Sequence, residues 1–281
     1  MSHVYFDHNA TTQIDGRVLD AMLPWMRTQS GNPSSRHQFG RAAREAVAQA
    51  REQVARACGA QASQVVFTAS GTEANNLAIK GLADYVPRGQ ILSSAVEHPC
   101  VTRSAMAMRA LGHTSNSIPV NSDGKVDRAE MKAQLGQPTS LVSVMLANNE
   151  TGVLQDVAEL AEIARAHGSL MHTDAVQALG KIALNFNDLN VHAMTVSSHK
   201  LHGPQGAAAL ILDKRVDIQP LLHGGGQERG LRSGTENVAA IVGFGLACEL
   251  ASQQLTDYQS HTLSLRTQLE KGLASMNASI F

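Results

Sequence analysis

Aromatic side chains are scarce in this 281-residue chain: Phe, Trp and Tyr make up 4% of it, with a single Trp. A chain of this length can bury a full core, so that core must be assembled from Ala, Val, Leu, Ile and Met. Cysteine is scarce too. Cys58, Cys100 and Cys248 are an odd number with no CxxC spacing, which excludes a disulfide framework and a cysteine zinc site. Charge of one sign is missing: 23 Lys+Arg against 24 Asp+Glu give a formal charge of -1, which argues against nucleic acid as the main partner. No apolar run approaches the ~18 residues of a membrane helix. The longest, Ala207 to Leu212, is strand length. The opening Met-Ser-His-Val-Tyr-Phe-Asp has neither the basic stretch nor the apolar run of a signal peptide. These absences predict a soluble, cytoplasmic protein with neither a membrane nor a nucleic-acid partner.

What is present is an alternation. Gly40 to Ala57 is Ala-rich and helical in pattern, with Gly59 as its stop. Val65 to Thr68 is a β-branched run, Thr72 to Tyr85 reads as a helix, and Ile91 to Ala95 as a strand. Asp127 and Glu130 open a short capped helix ending near Leu135. Strands at Leu141–Ala147, Leu170–Thr173, Ala193–Val196 and Ala207–Leu212 and a helix at Val157–His167 follow. Such alternation indicates an α/β domain around a mainly parallel sheet, and the continuous apolar strands indicate a sheet covered on both faces. From about Thr235 the chain reads as purely helical, with Tyr258, Thr262, Leu265, Leu269 and Met276 along one stripe. It stops at Ile280-Phe281 with no folding unit after that helix, an ending that reads as unfinished.

Several strand ends carry chemistry. Ser197-Ser198-His199-Lys200 follows one strand, at the end where ligands collect in open α/β sheets. A lysine there can form a Schiff base with a carbonyl cofactor, although a lone loop lysine is ordinarily just solvated. Asp174 ends another strand, a candidate buried carboxylate in need of a cationic partner such as a pyridinium nitrogen, or simply a helix cap. Gln177, three residues on, can donate to a phenolate oxygen. Gly71-Thr72, between a strand and a helix, has the geometry of a phosphate site but matches neither a Walker A loop nor GxGxxG. His98 can stack on a planar ligand or relay protons, and Asn148-Asn149 ends a further strand where turn chemistry alone is an adequate account. Gly224-Gly225-Gly226 with Arg229 and Arg232 suggests either an anion contact or a flexible loop. No metal site is expected: His199, His202 and His223 lack an accompanying HExxH or Cys pair. Spacing alone admits a pyridoxal phosphate enzyme without singling it out.

Taken together, these segments resemble the cysteine desulfurase family of the class V aminotransferase group, in its iron–sulfur/nitrogen-fixation branch. The likeness runs from Tyr5-Phe-Asp-His-Asn-Ala-Thr-Thr12 through Gly31-Asn-Pro-Ser-Ser35 to Gly224–Thr235. It implies a fold-type I architecture: a seven-stranded-type sheet flanked by helices over residues 16–250, with 1–15 grouped with a small domain whose helical start is 251–281. It implies pyridoxal 5'-phosphate held by Lys200, with Asp174 at the pyridinium nitrogen, Gln177 at the ring hydroxyl and His98 over the ring face in proton transfer. Gly71, Thr72, Ser197 and His199 would hold the phosphate, joined by Thr235 from a neighbouring subunit of a homodimer. Asn149 would lie near the ring and the substrate carboxylate. The implied reaction takes sulfur from L-cysteine, leaves L-alanine, and passes a persulfide to an iron–sulfur scaffold or other acceptor protein. The family's sulfur-accepting cysteine lies beyond the last residue here, so a C-terminally truncated chain with impaired turnover is expected, and Cys58, Cys100 and Cys248 receive no such role. Another class V lyase or aminotransferase, or a non-catalytic cofactor-binding protein, are the alternative readings.

Overall fold

The apolar and polar patterning resolves into a single sheet with helices on both sides. The computed structural model describes residues 3–275; Met276, Ile280 and Phe281, used in the sequence reading, lie outside them. In chain order the helices are α1 Gly16–Arg27, α2 Gln38–Ala57, α3 Gly71–Tyr85, α4 Pro99–Ala107, α5 Arg128–Gln134, α6 Val157–Ala166, α7 Phe186–Leu189, α8 Val238–Gln253 and α9 Leu255–Ser275. The strands are β1 Val65–Thr68, β2 Gln90–Ser94, β3 Thr114–Ile118, β4 Thr139–Ser143, β5 Leu170–Asp174, β6 Ala193–Ser197 and β7 Ala208–Leu212.

The strand order is β1-β7-β6-β5-β4-β2-β3. All pairings are parallel except those of β7, which runs antiparallel to both β1 and β6. Alternate residues therefore feed two cores. Phe67, Leu92, Val142, Met171 and Met194 face one, while Val66, Ile91, Leu141 and Leu210 face the other. Leu77, Ile79 and Leu82 of α3 complete the second core, and deleting a side chain of this size there would cost ~2–5 kcal/mol. On the opposite face α8 packs on α2 at backbone distance, because Gly245 has no side chain: a Cβ there would lie 2.6 Å from the Ala50 Cα.

Two expectations change. β3, Thr-Ser-Asn-Ser-Ile, is a seventh strand without an apolar signature, since an edge strand with an exposed face needs only backbone pairing to β2. The predicted strand Leu141–Ala147 ends at Ser143, after which Val144 and Leu146 still donate to β5 carbonyls but the chain turns into the site. The helical stretch from Thr235 is two helices that meet at Gln254, where the axis bends by 69° between α8 and α9. Among the described residues no single helix is long and apolar enough to cross a membrane; α8 is apolar because it is buried against α2.

Candidate functional site

The carboxyl ends of β1, β5 and β6 open into one cleft of about 860 Å³. Each strand delivers its group by the same device: a short apolar run fixed in the sheet, then a turn that exposes the next side chain at the rim. Asp174, Ser197 and Lys200 reach the cleft this way, together with Gly71, Thr72, His98, Asn149, Gln177 and His199. Thr235 does not line it and is exposed.

Asp174 is 5% exposed, and both its oxygens are engaged. Oδ2 accepts from Asn75 Nδ2 at 2.7 Å and Oδ1 from the Val176 amide at 2.9 Å. Burial pushes its pKa up, against those bonds and the positive fields of His98 and Lys200. A carboxylate so placed is suited to a cationic ligand atom. Lys200 Nζ donates to the carbonyls of Asn9 (2.5 Å) and Ala10 (2.7 Å), and burial lowers its pKa while Asp174 and Asp7 oppose. A lowered amine pKa increases the unprotonated fraction that can attack a carbonyl.

The opposite wall is a cradle. Ser70 Oγ caps α3 by accepting from the Glu73 amide at 3.1 Å, which leaves the amides of Gly71 and Thr72 at the helix mouth. A Cβ at Gly71 would come within 3.3 Å of Val176 Cγ2 and 3.5 Å of Ser197 Cβ, so glycine keeps this space open. Ser197 is 1% exposed, and its Oγ has no hydrogen-bond partner. A buried unpaired hydroxyl beside a helix N-terminus fits an anionic group, phosphate in particular. His199 Nδ1 faces Thr11 Oγ1 at 3.1 Å. Charge-matched ends and a lysine between them fit pyridoxal phosphate.

His98 caps α4: its Nδ1 accepts from the Cys100 amide at 3.2 Å and lies 2.9 Å from Cys100 Sγ. Nδ1 is thus an acceptor, and the imidazole proton sits on Nε2. Beside it, Glu97 Oε1 accepts from Ser94 Oγ (2.7 Å) and the Met145 amide (2.5 Å), while Oε2 is buried without a partner. Burial pushes Glu97 from 4.5 up to about 8. Across that window the folded chain keeps a proton that the unfolded chain has released, so this group lowers stability as pH rises. Glu97→Gln should remove the slope. Its gain in urea midpoint over the parent should widen between roughly pH 5 and pH 8, and a constant gap would refute this.

The arginines of the Gly224–Thr235 loop are tied to protein groups in the structure. Arg229 donates to the Val65 carbonyl at 2.7 Å, and Arg232 pairs with Glu73 at 2.7 Å, so both guanidiniums serve protein groups. The loop is also pinned by Glu228, which accepts from Arg51 and from the Phe67 amide. These ties hold Glu228 and Arg229 at left-handed φ values of 47° and 61°.

Sequence reading missed Asn9, Asn75 and Lys181. Asn75 lies four residues after Gly71 on α3, so helical spacing places it on the cleft side. Asn9 had no such signal. Its carbonyl accepts from Lys200 and Gln177, its Oδ1 from Lys181, and its Nδ2 donates to the Asn149 carbonyl at 3.1 Å.

Comparison with known proteins supports the same reading. Residues 4–280 match the aminotransferase class-V family model. Cysteine desulfurase 2 of Trichormus variabilis is 45% identical over 276 residues, covering 98% of this chain and 69% of that protein. A solved NifS-like protein superposes with a TM-score of 0.94 at 40% identity, over 98% of this chain and 76% of that one. The structure described as SspA in complex with cysteine gives 0.84 at 35% identity, over 88% and 72%. The chain spans 64% to 69% of the length of several curated relatives.

Proposed function

Because the chain belongs to the class V aminotransferase family, we propose that it is a pyridoxal phosphate-dependent cysteine desulfurase that takes sulfur from L-cysteine and leaves L-alanine. The observation that carries this is the convergence of a half-buried lysine, a buried carboxylate and an unpaired buried hydroxyl on one cleft. Bound pyridoxal phosphate supplies an electron sink for the bond broken at the substrate's Cα. Lys200 would hold it through its amine, and the same amine would be placed to move a proton at the substrate's Cα. Asp174 would anchor the pyridinium nitrogen, and Gln177 would give an N–H to the ring oxygen. Ser197, His199, Thr72 and the Gly71 amide take the phosphate. His98, with its proton on Nε2, serves proton transfer at the ring face, and Asn149 faces the substrate carboxylate.

None of the three thiols in these residues is assigned as the sulfur acceptor. Cys58 and Cys248 are buried, their thiols pushed up by burial, Cys58 to about 12. Cys100 lines the cleft, but burial raises it to about 11, so it is a neutral thiol at physiological pH. An iron–sulfur scaffold or another acceptor protein then receives the sulfur. The protein works in the cytoplasm as a homodimer, with Thr235 serving the partner's phosphate site, as its exposure outside its own cleft suggests. Sedimentation of a monomer that retains cofactor would overturn the dimer, fractionation to a membrane pellet the location, and absence of labelled sulfur on any added acceptor the transfer.

The deciding experiment is borohydride reduction of the purified protein with cofactor, followed by peptide mass analysis and an alanine-formation assay with L-cysteine. A pyridoxyl-phosphate adduct on Lys200 is expected, with alanine forming when an acceptor thiol is added; an unmodified chain would overturn the reading. Ser197→Ala separates phosphate binding from folding. Because Ser197 Oγ has no partner, the cofactor-free variant should melt as the parent does, while cofactor affinity falls ~10-fold or more, the worth of a bond to a charged group. Unchanged affinity by fluorescence titration would remove Ser197 from the phosphate site.

A further inference from the structure

Gln177 presents a chemical ambiguity that a neighbour resolves. Its carboxamide has a donor end and an acceptor end of nearly equal shape, so contact with the cleft alone does not say which end a ligand meets. Lys181 Nζ lies 2.5 Å from Gln177 Oε1 and 3.1 Å from Asn9 Oδ1. An ammonium only donates, so the amide oxygen turns to Lys181 and the NH₂ turns away. One N–H of that NH₂ goes to the Asn9 carbonyl at 2.9 Å, and the other remains for the cleft. Lys181 itself does not line the cleft. It lines a neighbouring cavity of about 570 Å³ that shares Asn9 and Lys200 with the first.

We propose that Lys181 is a positioning residue that fixes the Gln177 carboxamide with its N–H end toward the cleft, so that the ring oxygen of a bound cofactor meets a donor and stays ionised. This rests on the cofactor reading above. The amine is held down to about 8 by burial and by the charge of Lys200, so through neutral pH it keeps the proton that makes it a donor only. Without it, only the Asn9 carbonyl still holds the NH₂ end, and a carboxamide released from Lys181 can turn its oxygen toward the ring oxygen, where an acceptor facing an acceptor favours the protonated ring hydroxyl.

The test is a pH titration of the visible absorption of the cofactor-loaded full chain. In Lys181→Met the midpoint for ionisation of the bound cofactor should rise by about one to two pH units, the scale of a lost bond to a charged acceptor. Gln177→Met should give the same rise, and Lys181→Met added to it should change nothing further. Lys181→Arg, still only a donor, should keep the parental midpoint. A parental midpoint in loaded Lys181→Met, a second shift in the double variant, or a raised midpoint in Lys181→Arg would each overturn the assignment. Failure of the cofactor reading is distinct: the parent would then show no bound-cofactor band and no borohydride adduct on Lys200.

Discussion

Lys200→Ala should abolish the borohydride-stable adduct and lower alanine formation from L-cysteine by ~10³-fold or more, the combined loss of a covalent anchor and a proton-transfer group. The fold should survive. Lys200 is half-buried, and its amine partners are the Asn9 and Ala10 carbonyls of a segment also held by Gln177, Lys181 and Thr12. Melting close to the parent's, with reversible but no covalent cofactor binding, is therefore the expected phenotype. Lys181 is the informative competitor: it lies nearby, and its amine is also depressed. An adduct that persists in Lys200→Ala and maps to Lys181 would reassign the Schiff-base role, and undiminished turnover would remove the role altogether.

Asp174→Asn should lower turnover by ~10²–10³-fold and weaken cofactor binding by ~10-fold or more, because a fixed charge aimed at a cationic ring nitrogen is lost. The effect on the cofactor-free protein should be small. Both Asp174 oxygens accept from N–H groups, so one of them, replaced by NH₂, would face a donor at a cost of ~1–3 kcal/mol. Against that, a buried carboxylate no longer has to be desolvated. The pH dependence has a definite sign. The folded-state pKa of Asp174 is raised above 3.8, so folded protein retains a proton that unfolded chain has lost, and this group's contribution to stability declines as pH rises above that value. A bound pyridinium favours the carboxylate and should counter the decline. Cofactor should therefore stabilise the parent more as pH rises, and Asp174→Asn should not show that trend. Equal cofactor-induced melting shifts at all pH values in both proteins would contradict the pairing.

A similar balance explains a neighbouring group that was not read as functional. His172 sits behind Asp174 in β5, with Ser143 Oγ 2.8 Å from Nδ1 and Thr195 Oγ1 3.1 Å from Nε2. Burial lowers its pKa to about 3, so it is a neutral rung joining β4, β5 and β6. A histidine two residues before a cleft wall resembles a catalytic base in one dimension. It shares a face of β5 with Asp174, two residues on, but it is fully buried inside the sheet layer and does not line the cleft.

Much of the site was legible because its parts are local. Asp174, Ser197, His199 and Lys200 each follow an apolar β-branched or aliphatic run by one to four residues, and a strand that is buried on both faces can expose functional groups only at its ends. Gly71 and Thr72 were legible for a related reason, as a strand–helix turn announces itself within a few residues. The edge strand β3 was not, because polar residues suffice where one side of the pairing is solvent. Helix α1 carries Pro24 in its interior, which breaks the local pattern of a helix even though Asp15 caps it by accepting from the Arg17 amide at 2.8 Å.

By itself, then, the amino-acid order determined the α/β alternation, the two-faced burial of the sheet and the chemistry waiting at individual strand ends. Each of these is written in periodicities and turns no longer than one element. Only the tertiary structure decided that those ends share one cleft, that Arg229 and Arg232 tie the Gly224–Thr235 loop to Val65 and Glu73, and that Asn9 joins Lys200 to Gln177 and Lys181 across more than 160 positions of chain. Contacts of that range carry no spacing in the sequence. They exist because the sheet order places β1, β5 and β6 within a few strands of one another, and the burial that stabilises that order is collective rather than local.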